Sequence, residues 1–394
     1  MESIKHGSDV SSGELLFTAL TYFRENDFSF ALWRLPDSPT LFLAAAGQIQ
    51  EWSEINLEES SPGFLFSPFN PAEKKIFVPA DNLLTFEAGQ LIYSHGSSLE
   101  GILQAKSHHL SRRKKGDQYH SSPQRKSSHH DDHYKDLVTK CREEILKGNF
   151  EKIVPSRTKE VELPADFDLL NAFNRLCELY PKAMVSIFSS PMTGTWVGAT
   201  PEMLVSITRD QHFHTVALAG TQPYHEGADL RNITWTQKDI EEQALVERYI
   251  ISCFKKIRLR EYEEHGPKTI IAGNILHLKT HFDVDMVATN FPQLGSVMLK
   301  LLHPTSAVCG MPLDASLAFL KEHEGYDRQF YSGYLGPVNM DQESHLYVNL
   351  RCMQLSNTSA TLFAGAGVLG DSDPEKEWHE TEMKINTLGA IIRK

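Results

Sequence analysis

Four strand-like segments follow one another between Met184 and Ala219 with no helical stretch among them. They are Met184-Val185-Ser186-Ile187-Phe188, Thr195-Trp196-Val197-Gly198-Ala199, Met203-Leu204-Val205-Ser206-Ile207 and His214-Thr215-Val216-Ala217-Leu218-Ala219. Each is apolar and rich in β-branched or aromatic residues, and turn-forming residues separate them. A long amphipathic helix is predicted next, from about Asp239 to Leu259, through Leu245, Val246, Tyr249, Ile250 and Phe254. Strands are predicted again at Leu346–Cys352 and Ala360–Ala364. Runs of strands interspersed with helices exclude a strict βαβ alternation and point to α+β layers. At 394 residues the chain can bury a large core, as one big domain or two ordinary ones.

The first hundred or so residues read as short strands and turns. Phe28–Trp33 and Thr40–Ala45 flank the breaker Pro36-Asp37-Ser38-Pro39, and the prolines of Phe64–Pro71 predict an edge strand or loop there. From about Lys106 to His133 the composition changes. Arg112-Arg113-Lys114-Lys115 is basic, and His108, His109, His120, His129, His130 and His133 lie among serines. With few apolar residues to stabilise an ordered state, this stretch is expected to be a mobile surface loop; its histidines show no regular ligand spacing. Beyond it, Tyr134, Leu137, Val138, Cys141, Ile145 and Leu146 recur at helical spacing, with Gly148 as a stop, and Phe150–Arg157 turns into a strand. The chain holds no internal repeat, no dinucleotide-binding glycine fingerprint, no P-loop and no nucleophile elbow.

The net charge of −12 argues against general nucleic-acid binding. Five scattered cysteines without C-x-x-C spacing read as reduced thiols. The N-terminal residues lack a secretory pattern, and no apolar run approaches the roughly 20 residues that cross a bilayer. A cytoplasmic protein without a membrane partner is expected.

Chemistry concentrates near the end of the chain. Glu377, Glu380 and Lys384 share one face of a predicted helix, just after the glycine-rich run Phe363–Val368. A second acidic cluster, Lys238-Asp239-Ile240-Glu241-Glu242-Gln243, opens the long helix. Two helices presenting carboxylates suggest a Mg²⁺ site that holds an anionic substrate. Two solvated helix faces are the bland alternative.

Further motifs follow in order: Lys152-Ile153-Val154-Pro155-Ser156-Arg157, Gly198-Ala199-Thr200-Pro201-Glu202, Ala217-Leu218-Ala219-Gly220-Thr221, His303-Pro304-Thr305-Ser306-Ala307-Val308-Cys309-Gly310, Arg328–Gly336 and Ala364-Gly365-Ala366-Gly367. Together with the two acidic clusters they resemble the chorismate-utilising enzymes, over roughly Tyr134 to Lys394. Within that family the chain is most similar to isochorismate synthases. The resemblance implies an α+β fold, a single large domain with two packed β-sheets and outer helices. Residues 1–105 would be the variable N-terminal part of that fold, 106–133 the loop, and 134–394 the catalytic core.

The resemblance also implies roles. Lys152 matches the base that activates water, and Glu202 the acid that protonates the departing 4-hydroxyl. Glu242 and Glu380 match Mg²⁺ ligands, with Glu377 and Asp239 as supporting carboxylates. Gln243 stands where the family usually has histidine. Arg351 and Tyr331 match residues that grip the enolpyruvyl carboxylate, and Gly365 lends backbone amides. Thr221, His277 and Lys384 line the same pocket. Ala219 occupies a place where lysine-dependent relatives carry a covalent nucleophile.

The implied reaction adds water at C2 of chorismate and expels the 4-hydroxyl, with Mg²⁺ as cofactor. A salicylate synthase, which goes on to eliminate pyruvate, is the nearest alternative, and a non-catalytic binding protein is another. A monomer without an amidotransferase subunit is expected.

Overall fold

The strands between Met184 and Ala219 form, but they belong to two different sheets. In the computed structural model, which describes residues 12–109, 118–123, 131–225, 227, 229–272 and 275–392, Met184–Ser190 and Gly194–Thr200 lie in one sheet and Met203–Ile207 and His212–Pro223 in the other. The first sheet runs Gln90–His95, Asn82–Glu87, Thr40–Ala46, Ser29–Arg34, Met184–Ser190, Gly194–Thr200, Cys352–Leu355, Ser359–Gly365 and Ser156–Glu162. The second runs Glu263–Ala272, Ile275–Asp285, His212–Pro223, Met203–Ile207, Ser344–Val348, Tyr334–Val338, Gly63–Ser67, Lys75–Pro79 and Gln50–Trp52. Pairing is antiparallel, as in Met184↔Thr200 and Val216↔His281.

The sheets face each other across an aromatic core that includes Trp33, Phe64, Phe66, Phe188, Trp196 and Phe363. Phe66 stacks on Phe330 at 4.1 Å and lies 4.3 Å from Phe188. Burial of each such ring stabilises the fold by about 1.5–3 kcal/mol. The outer face of the first sheet is covered by helices Ser12–Glu25, Leu169–Leu179 and Pro374–Ile392; that of the second by Asp131–Leu146, Gln237–Lys256 and Leu294–Leu302. Central strands are therefore buried on both faces, which is why Met184–Ser190 and Gly194–Thr200 carry no charged residue and no strict apolar–polar alternation. The α+β expectation of two packed sheets with outer helices holds.

Several expectations need correction. Ser12–Glu25 is a helix, not strands and turns; Leu15, Leu16, Ala19, Leu20 and Phe23 bury one face at helical spacing. Gly63–Ser67 is an interior strand between Tyr334–Val338 and Lys75–Pro79, because it ends before Pro68 and needs no proline N–H. The stretch 106–133 is not one loop. Residues 106–109 close the helix Ser98–His109, and 131–133 open the next helix. Between them, Gln118 Oε1 accepts from the Leu169 and Leu170 amides, and Ser122 N donates to Leu355 O at 2.9 Å. Unpaired groups at a helix start and a strand thus order a segment whose composition alone would not. Residues 110–117 and 124–130, with the basic run and His129 and His130, lie outside the described residues.

Two of the places where the chain passes from one sheet to the other are neighbours in space. Gly194–Thr200 continues through Pro201 and Glu202 into Met203–Ile207, and Ser344–Val348 continues through Asn349, Leu350 and Arg351 into Cys352–Leu355. The crossings are tied together: Val348 N donates to Glu202 O at 2.9 Å, Ala199 N to Arg351 O at 3.0 Å, and Thr200 Oγ1 to Val348 O at 2.7 Å. The continuous strand expected over Leu346–Cys352 is broken because Arg351 takes a positive φ of 46°. No disulfide forms among the described residues, and no helix is long and apolar enough to cross a membrane.

Candidate active site

The two crossings open onto a cavity of about 660 Å³, its mouth included. Glu202 and Arg351 line it from the crossings, Tyr331 from the turn before Tyr334–Val338, and Gly365 from the end of Ser359–Gly365. Thr221 and His277 line it from the strands His212–Pro223 and Ile275–Asp285, Glu242 from the helix Gln237–Lys256, and Lys384 from the terminal helix. Lys152, Glu377 and Glu380, also expected here, do not line the cavity; they stand behind its wall. The Lys152 side chain is fully buried, with Nζ 2.7 Å from Glu242 Oε1, a close ion pair not aligned as a hydrogen bond. Lys152–Ile153 is held by pairing with Gly310–Met311 and by the reciprocal bonds of Ile153 with Val368.

Glu202 is buried at the crossing. Removal from water pushes its carboxyl up to about 7, although Lys152, Lys384 and Arg351 pull it down. A carboxylic acid in this range keeps its proton near neutrality and can donate it. His277 is opposite in character. Its Nδ1–H donates to Gly220 O at 2.6 Å, so Nε2 is free to accept from Arg351 Nη2 at 3.0 Å. Burial, and then the guanidinium, lower its pKa to about 3, and the ring is neutral at physiological pH. Gly220 makes this turn at φ +66°, where the pairing of the two strands slips by a bulge. The buried Arg351 guanidinium has no carboxylate within ion-pair distance among the described residues. A buried cation whose observed partner is a neutral ring is poised for an anionic ligand. Tyr331 stacks on Phe363 at 5.2 Å, and burial pushes its hydroxyl pKa up.

The carboxylates behind the wall are paired with lysines. Lys238 Nζ is 2.5 Å from Glu377 Oε1, and Lys384 Nζ is 2.7 Å from Glu380 Oε1 and 2.9 Å from Gly365 O. Among the described residues no three His, Cys, Asp or Glu side chains are drawn into one metal cradle, so Glu242, Glu377 and Glu380 are near one another without forming a single cluster. Asp239, expected as a supporting carboxylate, has a capping role at the start of its helix. Its Oδ2 accepts from Thr236 N and Oγ1 and closes a capping box at the start of the helix. Burial pushes the Glu377 carboxyl up and Glu380 adds to the effect; burial lowers Lys238, but Glu377, Glu380 and Glu242 raise it more. Both partners thus hold protons more tightly than usual, which marks a surplus of buried negative charge.

Gln243, in place of the family's histidine, donates through Nε2 to Glu247 Oε1 at 3.0 Å and Thr280 Oγ1 at 3.1 Å, pinning the helix to the sheet beside Glu242. Sequence reasoning assigned no role to the buried pair Glu324–Arg328. Arg328 donates to Val154 O at 2.7 Å and Val308 O at 2.8 Å, while Glu324 accepts from Ser156 N at 2.6 Å. The pair clamps two segments of the cavity wall together. Its i, i+4 spacing was the available signal.

Gly367 packs against the Lys152–Glu242 pair. A Cβ there would lie 2.1 Å from Glu242 Oε1 and 2.9 Å from Lys152 Cε. Gly367→Ala is therefore expected to displace the pair and lower turnover by about 10²-fold. Circular dichroism should show an unchanged fold, and steady-state kinetics near the wild-type rate would contradict this geometry.

The sequence profile described as "Chorismate binding enzyme" matches residues 84–393. The chain belongs to the chorismate binding enzyme family. Among members of this family, the vibriobactin-specific isochorismate synthase of Vibrio cholerae is 27% identical over 66% of this chain and 67% of its own length. Isochorismate synthase DhbC of Bacillus subtilis is 27% identical over 79% and 78%. The structure of MenF, the menaquinone-specific isochorismate synthase of Escherichia coli, covers 99% of this chain and 92% of its own, with a TM-score of 0.73 at 19% identity. At that identity the structural likeness speaks for the chorismate binding enzyme fold alone.

Proposed function

We propose that the protein is an isochorismate synthase: it converts chorismate to isochorismate by adding water at C2 and expelling the 4-hydroxyl. One observation carries this reading: a buried acid poised near neutrality and a buried guanidinium without a carboxylate partner face the same cavity. Arg351, oriented by His277, takes the enolpyruvyl carboxylate through parallel hydrogen bonds, with Tyr331 beside it. Glu202 gives its proton to the departing oxygen, and Lys152 takes one from the attacking water. An ammonium paired with a carboxylate is an acid, and Lys152 is buried behind Glu242, so it can act as base only when that pairing breaks and its amine reaches the water in the cavity. Ala219 leaves no lysine there for covalent attack on the ring. A monomer acting without an amidotransferase subunit fits a reaction whose nucleophile is water.

The residues also fit Mg²⁺. Glu377 Oε2 is buried without a hydrogen-bond partner, and the surplus negative charge around it is what a cation would neutralise. Mg²⁺ takes oxygen donors and keeps several waters, so one or two direct carboxylates suffice without a three-carboxylate cradle. Glu242 and Glu380 would hold it, with Glu377 in support. Bound there, it would polarise the ring carboxylate and favour attack at C2.

Purified protein incubated with chorismate, with and without Mg²⁺, tests the reading by product chromatography. Isochorismate in equilibrium with chorismate is expected, and a chelator should stop its formation. Salicylate plus pyruvate would reassign the protein to the pyruvate-eliminating chemistry. No turnover in the presence of Mg²⁺ would make it a binding protein.

A further inference from the structure

Glu202 is shared by two spaces. Besides the substrate cavity it lines a second, of about 240 Å³, enclosed by Leu204, Val246, Leu302, Thr215 and Thr305 among others. This rear space has room for about one water molecule. Its walls are mostly apolar, which accounts for much of the burial of Glu202. The polar groups that reach it differ in what they have left to offer. Tyr249 Oη donates to Leu301 O at 2.8 Å, and Thr215 Oγ1 donates to Leu204 O at 2.7 Å, so both have spent their protons. The Thr215 oxygen can still accept. Thr305 is 9% exposed, and its buried Oγ1 has no hydrogen-bond partner among the described residues. A buried hydroxyl with both donor and acceptor capacity unspent is rare in a folded protein. Thr305 lines the same small space as the acid.

We infer that the rear space holds one ordered water bridging the Thr305 hydroxyl to the Glu202 carboxyl, and that Thr305 is thereby a positioning residue for the acid. The inference rests on the reading of Glu202 as proton donor to the departing hydroxyl. The water accepts from Thr305 Oγ1–H, donates one hydrogen to the rear oxygen of Glu202 and the other to Thr215 Oγ1. Three polar partners are what a buried water needs. A carboxyl whose rear oxygen already accepts a hydrogen bond carries its proton on the front oxygen, which faces the substrate. After the transfer, the same bond supports the carboxylate that remains. The charged groups around Glu202, namely Lys152, Lys384, Arg351 and Glu242, belong to the substrate cavity and its wall, and none lines the rear space. Thr305 sits at the end of the cis His303–Pro304 turn, where its carbonyl accepts from Val308 N and Cys309 N. Its backbone is held independently of its hydroxyl.

The test compares wild type, Thr305→Val and Thr305→Ser. Valine keeps the shape and removes the hydroxyl; serine keeps the hydroxyl. Valine should lower kcat for chorismate roughly 10-fold with KM little changed, and serine should restore most of the rate. A high-resolution crystal structure of the wild type should show a water between Thr305 and Glu202. A valine variant at the wild-type rate, a serine variant as slow as valine, or an empty rear space would each overturn the inference. Should the valine variant fail to fold, the serine rate and the electron density decide. Wild type that binds chorismate without converting it would instead remove the reading of Glu202 as an acid, and density at the rear site would then report on the water alone.

Discussion

Glu202→Gln forms isochorismate about 10²–10⁴ times more slowly than wild type while still binding chorismate. The substitution keeps the size and hydrogen-bond capacity of the protonated side chain and removes only its ability to give up a proton. Glu202 is buried, and burial already holds its carboxyl at about 7, so a neutral amide there should leave the fold unperturbed. The sign of the pH dependence follows from the same group. The acid works in its protonated form, so wild-type kcat/KM falls as pH rises through about 7, and that fall should be absent from the residual activity of the glutamine variant. A glutamine variant with wild-type kcat, or a wild-type rate that climbs across this range, would take the acid role away from Glu202.

Arg351→Met is expected to act on binding rather than on chemistry. The guanidinium is buried and donates to a neutral imidazole, and it is the side chain best placed to meet a planar carboxylate. Truncating one partner of a buried, hydrogen-bonded charge pair costs about 2–5 kcal/mol. That is a roughly 30-fold to several-thousandfold weaker affinity for chorismate. Calorimetric titration of the variant measures it directly. Arg351→Lys should recover little, because an ammonium cannot make two parallel bonds. Chorismate affinity within about threefold of wild type in the methionine variant would place the carboxylate elsewhere in the cavity.

Much of this site is legible in the sequence, and what is not has physical reasons. Glu380 and Lys384 are four apart on a helix, and their contact follows from helical spacing alone. The Lys238–Glu377 and Lys152–Glu242 pairs join residues about a hundred or more positions apart, and no local pattern announces them. The strands were readable because both faces are buried. Which sheet each joins was not, because hydrophobic pattern records burial and not partner. Arg351 shows the limit most sharply. Nothing in Asn349-Leu350-Arg351 signals the positive φ that ends its strand; the tertiary crossing imposes it. The Ser12–Glu25 helix is different: its helical periodicity is legible in the sequence, beside neighbouring strands. Gln118 was hidden by composition, for its partners lie some fifty residues away at a helix start.

The paired crossings between the sheets have a consequence for how this enzyme could change over time. Glu202 and Arg351 leave the two sheets side by side, joined by main-chain bonds that no side-chain substitution removes. The spacing between Glu202 and Arg351 is then a property of the peptide backbone. Variation can repaint the cavity wall around a ruler that stays the same length, so new substrates would have to present an anion and a leaving group at that same separation.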